Sequence, residues 1–196
     1  MAFPDDLLQL AQHLADLHPE SPHQASLRRA VSTAYYAIFH FLITEATSNW
    51  ARKELRAKLG RCFDHGTMKS ASETKVGQIN TALKRGALAG EDKMVAIHIR
   101  TVANAFVQAQ QRRNDADYNM DTEKDWTPVE VATHVASVTE AFRIWNIVRE
   151  ESEAQAYLVS LLGTRERRTS EPQAAGADNQ RKQRDPGTPR ATEGQH

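Results

Sequence analysis

The stretch Trp126-Thr-Pro-Val-Glu-Val-Ala-Thr-His-Val-Ala-Ser-Val-Thr-Glu-Ala-Phe-Arg-Ile-Trp145 decides the fold class. Thr127 can accept a hydrogen bond from the first turn, Pro128 suits the first helical position, and Glu130 can close a capping box. Trp126 and Val131 occupy the two positions that clamp the entering chain. Val131, Val135, Val138, Phe142 and Trp145 then recur at helical spacing, one apolar line facing a core. Continued to Leu162, this helix would be about 50 Å long at 1.5 Å per residue. The polar run Arg149-Glu150-Glu151-Ser152-Glu153 is therefore expected to mark where it leaves the bundle, bends or breaks.

Working towards the N-terminus, the same period recurs. Val95, Ile99, Val102, Phe106 and Ala109 line a helix expected from about Asp92. Leu27, Val31, Ala34, Ile38 and Phe41 line another from about Pro22 to Thr47. Pro4-Asp5-Asp6 opens a first helix carrying Leu7, Leu10, Leu14 and Leu17. Ala51 to Leu59 reads as a short charged helix, and Gly60 to Asp92 as one or two short ones around Met68 and Ile79–Leu83. No strand-like alternation or hairpin signal competes. The expectation is an all-α protein, an up-and-down helical bundle of about five main helices.

Residues 164–196 contain no Val, Ile, Leu, Met, Phe, Trp, Tyr or Cys. Such a segment cannot bury enough surface to offset its ordering entropy. The chain is thus expected to divide into a bundle over 1–163 and a disordered tail over 164–196. Truncation after Gly163 is expected to leave the melting temperature within about a degree or two, since an exposed tail buries nothing.

The chain carries 25 Lys and Arg against 25 Asp and Glu. That balance demands neither nucleic acid nor an anionic membrane. One cysteine, Cys62, excludes an internal disulfide and a multi-thiolate metal site. The acidic start and the lack of a long apolar run favour the cytoplasm and no membrane span. Gly-rich phosphate loops, His-Glu-x-x-His and Gly-x-Ser-x-Gly are absent, so no cofactor and no metal is expected.

Two groups of residues point to chemistry. Arg29, Thr33, Tyr36 and His40 follow the spacing i, i+4, i+7, i+11 and share a face apart from the apolar line. That face either lines a cleft or holds half-buried residues satisfied by a neighbouring helix. The second group begins where Val102, Phe106 and Ala109 lead on to Arg113. A guanidinium placed on a core line needs a carboxylate, a helix end or an anionic ligand. Asn114-Asp115-Ala116-Asp117-Tyr118 follows it with polar partners, and an Arg113–Asp117 pair closing the helix is the purely structural reading.

Ser26-Leu-Arg-Arg-Ala-Val-Ser-Thr-Ala-Tyr-Tyr-Ala-Ile-Phe-His40 resembles the signature helix of HEPN domains, in the branch of small stand-alone bundles. Arg113-Asn-Asp-Ala-Asp-Tyr118 is similar to that branch's second signature, and His65, in Asp64-His65-Gly66, stands where such proteins often carry a histidine. The likeness spans roughly Pro22 to Val148. It implies an α-bundle that dimerises and acts on RNA or nucleotides. Many members are toxin-like or phage-defence proteins, often metal-independent ribonucleases set beside a nucleotidyltransferase-type antitoxin. Carried over by the resemblance, Arg113, Asn114 and Tyr118 are the catalytic candidates. Arg29, Tyr36, His40, His65 and Asp117 are the candidates for holding RNA or a nucleotide. The family's histidine four to six positions after the arginine is missing, since Tyr118, Asn119 and Met120 stand there. The chain either cleaves RNA through a degenerate motif or is a silent module that binds a nucleotide or a partner protein. A homodimer is also expected on physical grounds. Tyr157, Leu158, Val159, Leu161 and Leu162 would form an apolar patch if the last helix ran past the bundle.

Overall fold

The computed structural model describes residues 2–17, 20–119 and 125–163, and the expected disordered tail lies outside them. Seven α-helices pack together and no strand occurs among the described residues. They are α1 (Phe3–Ala15), α2 (Gln24–Ser48), α3 (Arg56–Gly60), α4 (His65–Lys84), α5 (Gly90–Tyr118), α6 (Pro128–Val148) and α7 (Ser152–Ser160). Five are long, as expected, and a 3₁₀ turn at Lys53–Leu55 leads into short α3.

Helix α2 is the central element, with α1, α5 and α6 against it. Along its middle, Ala30, Val31, Ser32, Thr33, Ala34, Tyr35, Ala37, Ile38 and Phe39 are all buried, so it has almost no solvent face there. Small residues at 30, 34 and 37 let neighbours approach closely, and the large ones interleave between them. The α6 cap forms as its residues dictate: Thr127 Oγ1 accepts from Glu130 N at 3.2 Å, and Glu130 Oε2 accepts from Thr127 N at 3.0 Å.

Three elements differ from expectation. In α1 the buried line is Pro4, Leu8, Ala11 and Ala15, and Leu10 is exposed. The core accepts alanines at close approach there, while Leu7 and Leu14 only flank it. Helix α4 is one helix of 20 residues rather than one or two short ones. Asp64 caps it by accepting from Thr67 N at 2.9 Å. Its inner line runs Met68, Ser72, Ile79, and Ser72 Oγ lies 2.8 Å from the Tyr157 hydroxyl.

The third difference concerns the chain end. The long helix does break at Arg149, but α7 turns back into the bundle instead of projecting from it. Ala154, Tyr157, Leu158 and Leu161 are buried, and of the five residues expected to form the patch Val159 and Leu162 stay exposed. The apolar patch invoked for a dimer is therefore core, which removes the physical argument for placing an interface there.

Helix α6 also buries His134, whose Nε2 has no partner among the described residues. Burial, and next the charge of Arg112, push its imidazole down to about 4, against the Val31 backbone, which pulls it up. The unfolded chain takes up this proton near pH 6.5, whereas the folded one resists until about pH 4. Stability is thus full above pH 6.5 and falls as the pH drops through that window. Denaturant titrations should show about 2 kcal/mol lost between pH 7 and pH 5. His134→Gln, neutral throughout, should flatten that dependence, and an unchanged slope would clear His134 of it.

Candidate functional site

The continuation of the α5 core line to Arg113 is where the polar groups gather. Its side chain is 19% exposed, and its partners come from α2 and from the end of α5. Nη2 donates to the Tyr36 hydroxyl at 3.0 Å, and Nη1 donates to Asn114 Oδ1 at 3.3 Å. Nε lies 2.7 Å from Asp117 Oδ2, but its N–H is not aligned on that oxygen, so this contact is an ion pair without a hydrogen bond. Asp117 is held from the other side by the Ser32 hydroxyl, which donates to Oδ1. The guanidinium also lies 5.1 Å from the Tyr118 ring centre, 5.7 Å from that of Tyr36 and 6.0 Å from that of Tyr35. The expected Arg113–Asp117 pair is present, and the arginine reaches beyond it.

The geometry brings His65 to the same place. The N-terminus of α4 carries it onto α2, where its ring lies on Phe39 with centres 4.1 Å apart. Its Nδ1 is hydrogen-bonded to the Tyr35 hydroxyl, which is otherwise buried in the core. His65 and Arg113 thus flank the Tyr35–Tyr36 pair, with the Tyr36 ring 6.3 Å from His65. The outer edge of His65 is open to solvent while one face is covered. Burial, then the Arg113 charge, lower its affinity for a proton, against Asp64, which raises it. His40 stacks on Tyr36 at 6.4 Å, and its imidazole is lowered by burial first and His65 second. Burial pushes the Tyr35 phenol well above its ordinary value, so it keeps its proton.

Seven of the eight sequence candidates therefore converge: Arg113, Asn114, Asp117, Tyr118, Tyr36, His40 and His65. Arg29 does not join them. It is exposed, and its backbone carbonyl accepts from Thr33 Oγ1 at 2.7 Å. Sequence reasoning missed Ser32, Tyr35, Phe39 and Arg28. Arg28 Nη1 donates to the carbonyls of Ala116 at 3.1 Å and Asn119 at 2.9 Å, neutralising the negative end of α5 beside Asp117. Gln24 ties down the loop entry from one turn earlier, donating to the Trp126 carbonyl at 2.8 Å and accepting from its N–H at 2.9 Å.

A cleft of about 600 Å³ lies elsewhere, between α4, the start of α5 and the turn before α7. Its rim pairs Lys75 with Glu153 at 3.3 Å and carries Glu91, Asp92 and Glu151. It lacks a histidine or arginine, and its cation, Lys75, is already paired with Glu153. No helix among the described residues is long and apolar enough to cross a membrane. Compared with known protein families, curated proteins and solved structures, the chain matches none.

Proposed function

We propose that the Arg113 cluster holds an RNA phosphate and cleaves the chain beside it without a metal, in the manner of an HEPN-type toxin or defence ribonuclease. The observation that carries this reading is the meeting of His65 with Arg113 across Tyr35 and Tyr36. Transesterification needs a base for the 2′-hydroxyl proton and a donor for charge on the phosphate. Arg113 is the donor, and Asn114 and Asp117 hold it in place. When Nδ1 of His65 donates to the Tyr35 oxygen, Nε2 presents its lone pair to solvent as the base. The 2′ oxygen, its proton on Nε2, attacks phosphorus. The 5′ oxygen departs with a proton from water, the hydroxide so formed takes the proton held on Nε2, and a cyclic phosphate and a free 5′-hydroxyl are left.

The lowered proton affinity of His65 suits this role, since a neutral imidazole is the competent form. It also replaces the histidine missing after Arg113 with one from another helix. The cluster lies at an open surface, which accommodates a polymer better than an enclosed small molecule. The resemblance adds a homodimer and a nucleotidyltransferase-type antitoxin to the proposal, and the sequence's acidic start and short apolar runs add a cytoplasmic setting.

A second reading has its own support. Arg113 already has Tyr36, Asn114 and Asp117 as partners, which suits a silent module that binds a nucleotide or a partner protein. A cleavage assay in EDTA separates the two. Wild type should release fragments ending in cyclic phosphate, His65→Ala should lose at least about tenfold in rate, and both should bind RNA alike. Tyr35→Phe, which removes the hydroxyl paired with Nδ1, should slow cleavage about tenfold while costing about 1 kcal/mol in stability. RNA bound but never cut would favour the silent module.

A further inference from the structure

Five side chains form a row in which each touches the next. Phe3 meets His40 edge-on with ring centres 5.1 Å apart. His40 stacks on Tyr36 at 6.4 Å. The Tyr36 hydroxyl accepts from Arg113 at 3.0 Å, and the guanidinium lies 5.1 Å from the Tyr118 ring centre. The row thus has an aromatic ring at each end, with its cation fourth in order, between Tyr36 and Tyr118.

Those end rings are the exposed ones. Phe3 is 59% exposed and Tyr118 is 67% exposed. Among the described residues the only other comparably exposed aromatic hydrophobe is Trp50. Two of three such rings therefore fall on this one row. They come from distant parts of the chain, one opening α1 and the other closing α5. Each touches a row member yet stays largely exposed, so neither is there to fill the core. A flat apolar face held open on a row that carries a guanidinium is what an unstacked nucleobase requires. The ring takes the base, and the cation takes the adjoining phosphate.

Building on the reading that Arg113 holds a phosphate, we propose that Phe3 and Tyr118 are base-stacking platforms on its two sides and that the site takes single-stranded RNA. A duplex keeps its bases stacked on one another and has none to offer such rings. A mononucleotide can occupy only one platform. The ligand that fits both is a single strand with at least one base on each side of the bound phosphate. His40 and Tyr36 then lie along the backbone between Phe3 and Arg113 and fix the direction in which the strand runs.

The test is fluorescence anisotropy with an RNA octamer carrying 2′-fluoro riboses, which lacks the nucleophile and cannot be cut. Phe3→Ala and Tyr118→Ala should each weaken the octamer about tenfold, a change in keeping with loss of one stacked base. Trp50→Ala, an exposed ring off the row, should leave affinity unchanged. A duplex of the same length should bind at least about tenfold more weakly than the single strand. Both substituted rings are exposed, so melting curves should match wild type and remove folding as an explanation. Wild-type affinity in both alanine variants, or a duplex bound as tightly as the strand, overturns the stacking proposal and leaves the phosphate reading standing. A wild-type protein that binds no octamer overturns both.

Discussion

Arg113→Ala should lower metal-free RNA cleavage by about 10²-fold or more, the scale seen when one preorganised donor to a developing oxyanion is removed. The fold should survive the change. Arg113 and Asp117 are both partly exposed, and an ion pair of that kind contributes on the order of 1 kcal/mol or less. Asp117 also keeps the Ser32 hydroxyl after the arginine has gone, and Arg28 still neutralises the end of α5. Arg113→Lys separates charge from geometry. A lysine cannot reach Tyr36, Asn114 and Asp117 together as a planar fork does, so most of the loss should persist although the charge is kept. RNA cleavage and binding assays beside melting curves decide the matter. A variant destabilised by about 2 kcal/mol or more with wild-type RNA behaviour would make Arg113 a structural brace and end the functional reading.

How the cluster was misread in sequence has a definite physical cause. The spacing i, i+4, i+7, i+11 picks out Arg29, Thr33, Tyr36 and His40, but the same spacing one residue earlier picks out Arg28, Ser32, Tyr35 and Phe39. The two lines are about 100° apart on the helix. Structure gives the anchoring roles to the earlier line: Arg28 caps α5, Ser32 holds Asp117, Tyr35 binds His65 and Phe39 carries its ring. Tyr36 and His40 form the rim, while Arg29 is exposed and the buried Thr33 hydroxyl is spent on the Arg29 carbonyl. Helix α2 is buried on so much of its circumference that periodicity cannot say which polar line faces which neighbour. Arg113 was legible for the opposite reason, because a cation on a continuous apolar line has few places to go.

The helices show the same division. Helix α6 was readable almost to the residue because its cap, its proline and its apolar line agree. Helix α4 was not, because the middle of its inner line is a serine whose partner, Tyr157, lies 85 residues on. A serine at a core position looks like a surface signal until the tyrosine hydroxyl that satisfies it is known. The return of α7 was hidden likewise. The run Arg149 to Glu153 marks a break, but nothing local says whether the chain then leaves the bundle or closes over it.

Trp145→Ala should cost about 4 kcal/mol of folding stability, the largest effect expected of any single substitution in the core. The ring is fully buried and lies 6.3 Å from that of Tyr157, so it is the surface on which α7 closes. Its Nε1 donates to Glu45 Oε2 at 2.7 Å, and Arg149 Nη2 donates to Glu45 Oε1 at 3.1 Å. Glu45 thus depends on Trp145 and on Arg149, just past the end of α6, and alanine at 145 removes one donor together with a large apolar volume. Trp145→Phe keeps a ring but no donor, and should cost about 1–2 kcal/mol, most of it from the carboxylate left short of a partner. Comparing Trp145→Phe, Arg149→Ala and the double variant isolates the coupling through Glu45. Domains of this size are stable by roughly 5–15 kcal/mol, so Trp145→Ala should unfold at much lower urea yet remain largely folded in buffer. That folded fraction should still cleave RNA if the wild type does, because Trp145 lies on α6, away from every contact made by Arg113. A loss below about 1 kcal/mol in denaturant titration would mean that α7 closes the bundle without resting on this ring.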